Sequence, residues 1–161
     1  MNTYTLEDFE AFPIIDGIRQ CPSGGYTAIR SFPRYCSFSA GCSFGAGCIF
    51  GAFCSFSAGC SFSAGCRFSA GCRFSAGCSF EGYKTHPGYP LLTFGGAGSI
   101  NRTVYAYNVE GGPLIRAGCF VGTLEEFRAK VRKDGDEMKS IQYLGFANIV
   151  AATWCPERVE K

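Results

Sequence analysis

Phenylalanine recurs every six residues from Phe32 to Phe80 without a break, at 32, 38, 44, 50, 56, 62, 68, 74 and 80. Cysteine keeps the same interval two residues ahead of it, at 36, 42, 48, 54, 60, 66, 72 and 78. A helix cannot use this pattern. At about 3.6 residues per turn, a period of six wanders around the axis, and a glycine recurs in every unit after the first. In an extended segment, Cys and Phe point to one side and the residue between them to the other. Ser-Ala-Gly then turns the chain. Short strands joined by tight corners, each with the same inward face, wind into a solenoid with Phe and Cys as its dry interior.

The chain has eleven cysteines in all, a number that in a small chain commonly signals disulfides. Disulfide frameworks space their cysteines irregularly, whereas a strict period marks a small, buried packing residue. Neither Cys-x-x-Cys nor a mixed Cys/His shell appears, so we expect no metal centre and no cofactor. No basic region followed by an apolar one opens the sequence, and we expect a cytoplasmic location with reduced thiols.

Units such as Phe44-Gly45-Ala46-Gly47-Cys48-Ile49 resemble the hexapeptide repeat of left-handed parallel β-helix proteins. In that family an aliphatic residue precedes Gly, a small residue follows four positions later, and three hexapeptides make one triangular coil. Here Phe stands where the family uses Ile, Val or Leu. The resemblance implies a short left-handed parallel β-helix of about three coils over residues 32–80. Members of the family are commonly trimers, which implies a homo-oligomer. A three-unit coil stacks Ser37, Ser55 and Arg73 in one outward column and Ser43, Ser61 and Ser79 in another. Ser31, Ile49 and Arg67 form the third, and Tyr35, Phe53 and Gly71 share one edge.

The flanks read as a cap over residues 1–31 and a further segment over 81–161. Leu6 to Glu10 is expected as a helical turn, Ile14 to Arg19 as a strand, and Tyr26 falls in the Phe register. Beyond a loop at 81–90, Leu91–Phe94 is a short strand and Thr103–Val109 alternates at period two. Glu110-Gly111-Gly112 then turns into a strand from Pro113 to Val121, making a β-hairpin. Thr123-Leu124-Glu125-Glu126 opens a helix to about Lys133. Asp136 caps a second helix to about Thr153, with Met138, Ile141, Leu144 or Gly145, and Ile149 expected on one side. The fold class is therefore mainly β, a short β-helix followed by a hairpin and two α-helices. Gly98-Ser99, Arg102 to Tyr107 and Gly118-Cys119-Phe120-x-Gly122-Thr123-Leu124-x-Glu126-Phe127 resemble the tail of small bacteriophage and prophage proteins. In those, a Gly- and Cys-rich strand repeat precedes the same hairpin and helices. The resemblance implies a phage or mobile-element protein acting inside a bacterium, and it transfers no activity.

With a net charge of +2 and 17% charged residues, the chain lacks the basic balance of a nucleic-acid binder, and its apolar runs are too short to span a bilayer. His86, the one histidine, follows the last coil. Many left-handed β-helix proteins are CoA-dependent acyltransferases with a catalytic His near a subunit junction. His86 is thus the candidate general base, with no carboxylate closer in sequence than Glu81. Gly95-Gly96-Ala97-Gly98 with Arg102 lacks the Lys-Ser/Thr of a phosphate-binding loop and reads as a glycine turn. The preferred expectation is a non-enzymatic binding or scaffold protein. It would act against a bacterial defence system, sequestering a nucleotide or masking a host protein. Its candidate contact residues are Tyr35, Ile49, Phe53, Arg67, Arg73, Arg102 and Arg116, fitted to a host protein or a small anionic ligand.

Overall fold

The computed structural model describes residues 1–86, 90–97 and 102–161. The chain forms two compact units, Met1–Tyr89 and Pro90–Lys161.

The first unit is a β-solenoid of about three turns. Its elements are α1 (Leu6–Ala11), β1 (Ile14–Ile15), β2 (Ile18–Cys21), β3 (Ser31–Phe32), β4 (Cys36–Phe38), β5 (Ser43–Phe44), β6 (Ile49–Phe50), β7 (Ser55–Phe56), β8 (Ser61–Phe62), β9 (Arg67–Phe68), β10 (Arg73–Phe74), β11 (Ser79–Phe80) and β12 (Tyr83–Lys84). Three sheets run along it, with strand orders β3-β6-β9, β1-β2-β4-β7-β10 and β12-β11-β8-β5. The coil strands pair in parallel and in register, so Ser37 lies beside Ser55 and Ser55 beside Arg73, Ser43 beside Ser61 and Ser79, and Ser31 beside Ile49 and Arg67. The outward columns are those the repeat implies.

The interior is an aromatic lattice. Within a column the rings stack nearly parallel, as for Phe38 on Phe56 at 5.1 Å and 1°, or Phe32 on Phe50 at 4.9 Å and 5°. Between columns they meet edge to face, as for Phe38 and Phe44 at 4.9 Å and 89°. Each such pair contributes about 0.5–1.5 kcal/mol beyond burial. Cysteine leaves room for the ring and supplies a weak donor. Cys54, Cys60 and Cys66 Sγ donate to the carbonyls of Pro33, Ser39 and Gly45 at 3.4, 3.5 and 3.4 Å. No disulfide joins the repeat cysteines, and among the described residues no group of three or more His, Cys, Asp and Glu is arranged to hold a metal ion. The neighbouring Cys21 thiol holds the Cys36 thiol up at about 12, and the Cys36 thiol holds Cys54 up at about 11, with burial adding to both.

The N-terminal end is closed. Thr5 caps α1 reciprocally with Asp8. Phe9 then meets Phe32 edge to face at 5.3 Å, and Tyr26 stacks on Phe44 at 5.5 Å in the Phe register. Arg19 fastens the helix end by donating to the carbonyls of Phe9, Glu10 and Phe12. Residues 14–19 form not one strand but the β1–β2 hairpin, because Asp16 and Gly17 both adopt positive φ, 51° and 79°, as a two-residue hairpin turn requires. The 81–90 segment is likewise not wholly loop, since β12 pairs antiparallel with β11.

The second unit places β13 (Leu91–Ala97), β14 (Arg102–Val109), β15 (Gly112–Ala117) and β16 (Phe120–Thr123) in one antiparallel sheet, in that order, followed by α2 (Leu124–Asp134) and α3 (Glu137–Trp154). The expected hairpin is the centre of a four-stranded sheet. Gly118, at φ 64°, breaks the expected 113–121 strand into β15 and β16. Both helix caps, Thr123 with Glu126 and Asp136, are as expected. The side of α3 that carries Met138, Ile141 and Ile149 is not the one it packs. Tyr143, Phe146, Ala147, Val150 and Ala151 are buried, while Met138, Ile141 and Ile149 are exposed. This helix is apolar on more than one side, so the sequence does not single out its inner face. Among the described residues no helix is long and apolar enough to cross a membrane.

Phe56 lies in the middle coil at 1% exposure. Phe56→Ala should lower unfolding stability by about 3–5 kcal/mol in a denaturant titration. With a thiol reagent at mildly alkaline pH, exposed Cys119 should react at once and half-buried Cys72 slowly. The other thiols should react only on unfolding.

Candidate functional site

Each corner between Phe32 and Phe80 ends on a residue in the left-handed region, and six of these are glycine: Gly41, Gly47, Gly59, Gly65, Gly71 and Gly77, at φ 72–77°. The exceptions lie on one edge. Tyr35 and Phe53 take φ 61° and 60° there, in successive coils, with Gly71 in the third. A side chain with a Cβ costs about 1–2 kcal/mol in this conformation. The backbone bonds that hold the corner are those of its neighbours: Tyr35 and Phe53 N–H donate to Ala52 and Ala70 C=O at 3.1 and 3.0 Å.

The two rings stack at 5.5 Å and 10° and remain exposed, Phe53 by 55%. Gly71 makes room beneath them, since a Cβ there would stand 2.4 Å from Phe53 Cδ1. The guanidinium of exposed Arg34 lies 5.4 Å from the centre of the Tyr35 ring. The β3-β6-β9 face flanks the edge on one side and presents Ile49 and Arg67; the β4-β7-β10 face flanks it on the other and presents Ser55 and Arg73. Beside Arg73 an open groove of ≈ 510 Å³ is lined by Ser55, Ser57, Phe74 and Ser75. The sequence holds no Asp or Glu between Asp16 and Glu81, but five arginines. Arg19 is engaged at α1, and Arg30 bonds the Ala46 carbonyl. Arg34, Arg67 and Arg73 remain on the ridge and its flanks.

Five of the expected contact residues, Tyr35, Ile49, Phe53, Arg67 and Arg73, thus come together around one edge. Arg34 was missed; its place beside a corner aromatic was the available signal. Arg116 lies in the second unit, half-buried, with its guanidinium 4.8 Å above the Tyr105 ring. The Arg102 side chain lies outside the described residues, as do Gly98 and Ser99, and Gly95 to Ala97 belong to β13 rather than to a turn. His86 is exposed after Thr85, and among the described residues no carboxylate hydrogen-bonds to it. Sequence reading also missed Arg128. Buried on α2, it donates to Asn148 Oδ1 and to the Arg158 carbonyl, both at 2.8 Å, and ties down the segment after α3.

Gly71→Ala should lower stability by about 1–3 kcal/mol, from the left-handed φ and the collision with Phe53. In a Phe53→Ala background the same substitution should cost less, and a double-mutant cycle on denaturation free energies measures the difference.

No family model, no curated protein and no solved structure matches this chain, so both resemblances rest on the residues quoted for them.

Proposed function

We propose that this chain is a non-enzymatic binding protein whose aromatic and basic ridge takes an anionic ligand carrying a planar ring, a nucleotide above all. The carrying observation is the pair Tyr35 and Phe53, held at positive φ where the other coil corners use glycine. Folding alone favours Gly at such a corner, so two exposed aromatic residues there point to contact with something outside the chain. A base stacks on an exposed ring, and guanidinium groups at Arg34, Arg67 and Arg73 favour phosphate. Serine hydroxyls along the groove add neutral hydrogen-bonding partners. The setting completes the proposal: a phage or mobile-element protein, cytoplasmic and assembled from several copies, that withdraws a signalling nucleotide from a bacterial defence system. Masking of a host protein is the variant in which an acidic surface replaces the nucleotide. Acyl transfer has only His86 to rest on, without the orienting carboxylate that a general base uses.

The test pairs stability with binding. Tyr35→Gly/Phe53→Gly restores the glycine corner. Relief of about 1–2 kcal/mol per residue offsets a stacking loss of about 0.5–1.5 kcal/mol. Its thermal midpoint should stay within a few degrees of the parent. Calorimetric titration with mononucleotides and cyclic dinucleotides should show binding to the parent and none to the variant. Equal binding by both proteins, or no nucleotide binding by the parent, overturns the nucleotide reading. Binding of an oligoglutamate peptide in its place turns the reading to a masked protein partner.

A further inference from the structure

The two ends of the solenoid are built differently. At the N-terminal end β2 pairs with β4, Gly25 bridges to Ser43, and α1 lays Phe9 against Phe32. At the C-terminal end only β11 is covered. There β12 pairs with it, and Thr85 donates both its N–H and its hydroxyl to the Cys78 carbonyl, at 2.9 and 2.7 Å. β9 and β10 are the last strands of their sheets, and no described strand pairs with either on the far side. The interior registers the difference. Phe68 and Phe74 are 7% and 5% exposed, while Phe80 behind β12 is 2% exposed. Of the last three thiols, Cys72 is half-buried, while Cys66 and Cys78 are buried.

The outward residues divide along the same line. The covered strand keeps Ser79, the residue its column has in every coil. The two uncovered strands carry Arg73, below Ser37 and Ser55, and Arg67, below Ser31 and Ile49. Arginine therefore stands at the outward position of the two uncovered strands of the last coil, while β3, the edge strand at the other end, carries Ser31 beneath α1.

We propose that the open end of the last coil is a pairing surface for a second copy of this chain, and that Arg67 and Arg73 keep it from being used. A flat row of unpaired strand groups is a template for edge-to-edge association. At the other solenoid end β2 and Gly25 pair with two of the strands, and β3, which also lacks a strand partner, has Phe9 of α1 laid against it, so the matching surface on a second copy is the same open end, docked about a two-fold axis. Neighbouring strands lie about 4.8 Å apart, so Arg67 and Arg73 of one copy would meet their counterparts in the other. Like charges facing each other across strands oppose pairing, and the carboxylate next in sequence, Glu81, accepts a hydrogen bond from Gly65 N–H at 3.3 Å. This inference goes beyond the ridge reading. Its readout involves no ligand, so either can fail without the other.

Sedimentation velocity of the full chain over a concentration series at low ionic strength tests it. Arg67→Ser/Arg73→Ser should self-associate at least roughly tenfold more tightly than the parent. Arg34→Ser, outside the last coil, should sediment like the parent. Arg67→Glu/Arg73→Glu mixed with the parent should form a complex that neither forms alone and that salt dissolves. If the serine variant is folded by circular dichroism yet sediments as the parent does, the proposal is overturned. So is it if Arg34→Ser associates equally, which would make the effect one of general solubility. If the serine variant does not fold, the mixture decides: a salt-sensitive complex upholds the proposal, and none overturns it.

Discussion

The structure depends on one spacing. Backbone hydrogen bonds between parallel coils fix a repeat of about 4.8 Å. The phenylalanine rings of one column must fit that same repeat, and they do, at centroid separations of 4.9 to 5.1 Å and nearly parallel. Ring stacking and strand pairing therefore reinforce each other along the axis, while edge-to-face contacts close the space between columns. A column neighbour of the wrong shape would break both sets of contacts at once. Cysteine completes the arrangement because it is small, tolerates burial, and can still place its S–H on a carbonyl of the preceding coil.

Because the inward positions are committed to that lattice, the chain can vary only at the outward residue of each strand and at the corners. Most of these are serine, alanine and glycine. The departures are few and concentrated. Tyr35 and Phe53 depart at one corner, with Arg34 beside them; Ile49, Arg67 and Arg73 depart on the two faces that meet there. A rigid repeat with a quiet surface makes such departures stand out, and both the ridge and the guarded coil end come from them.

The repeat region was legible because a period of six leaves one economical geometry, and a register of three units per coil then assigns every outward column. The β1–β2 turn carried its own signal in Asp16-Gly17, a hairpin dipeptide. α3 was not legible in the same way. Met138, Ile141 and Ile149 form as good an apolar stripe as Tyr143, Phe146 and Val150, and only the position of the sheet decides which is covered. Arg128 is a surface residue by composition, yet it is buried because Asn148 and the Arg158 carbonyl converge on it.

The sequence by itself determined the coil, its register, the interior of Phe and Cys, and the helix caps, since each follows from spacing or from chemistry within a few residues. Only the tertiary structure decided that two aromatic side chains sit at positive φ and that Arg34 lies against one of them. It alone showed that β12 covers one strand of the last coil and leaves two open. Those facts depend on which strand lies beside which, and that is set by contacts between residues about a coil or more apart in the chain.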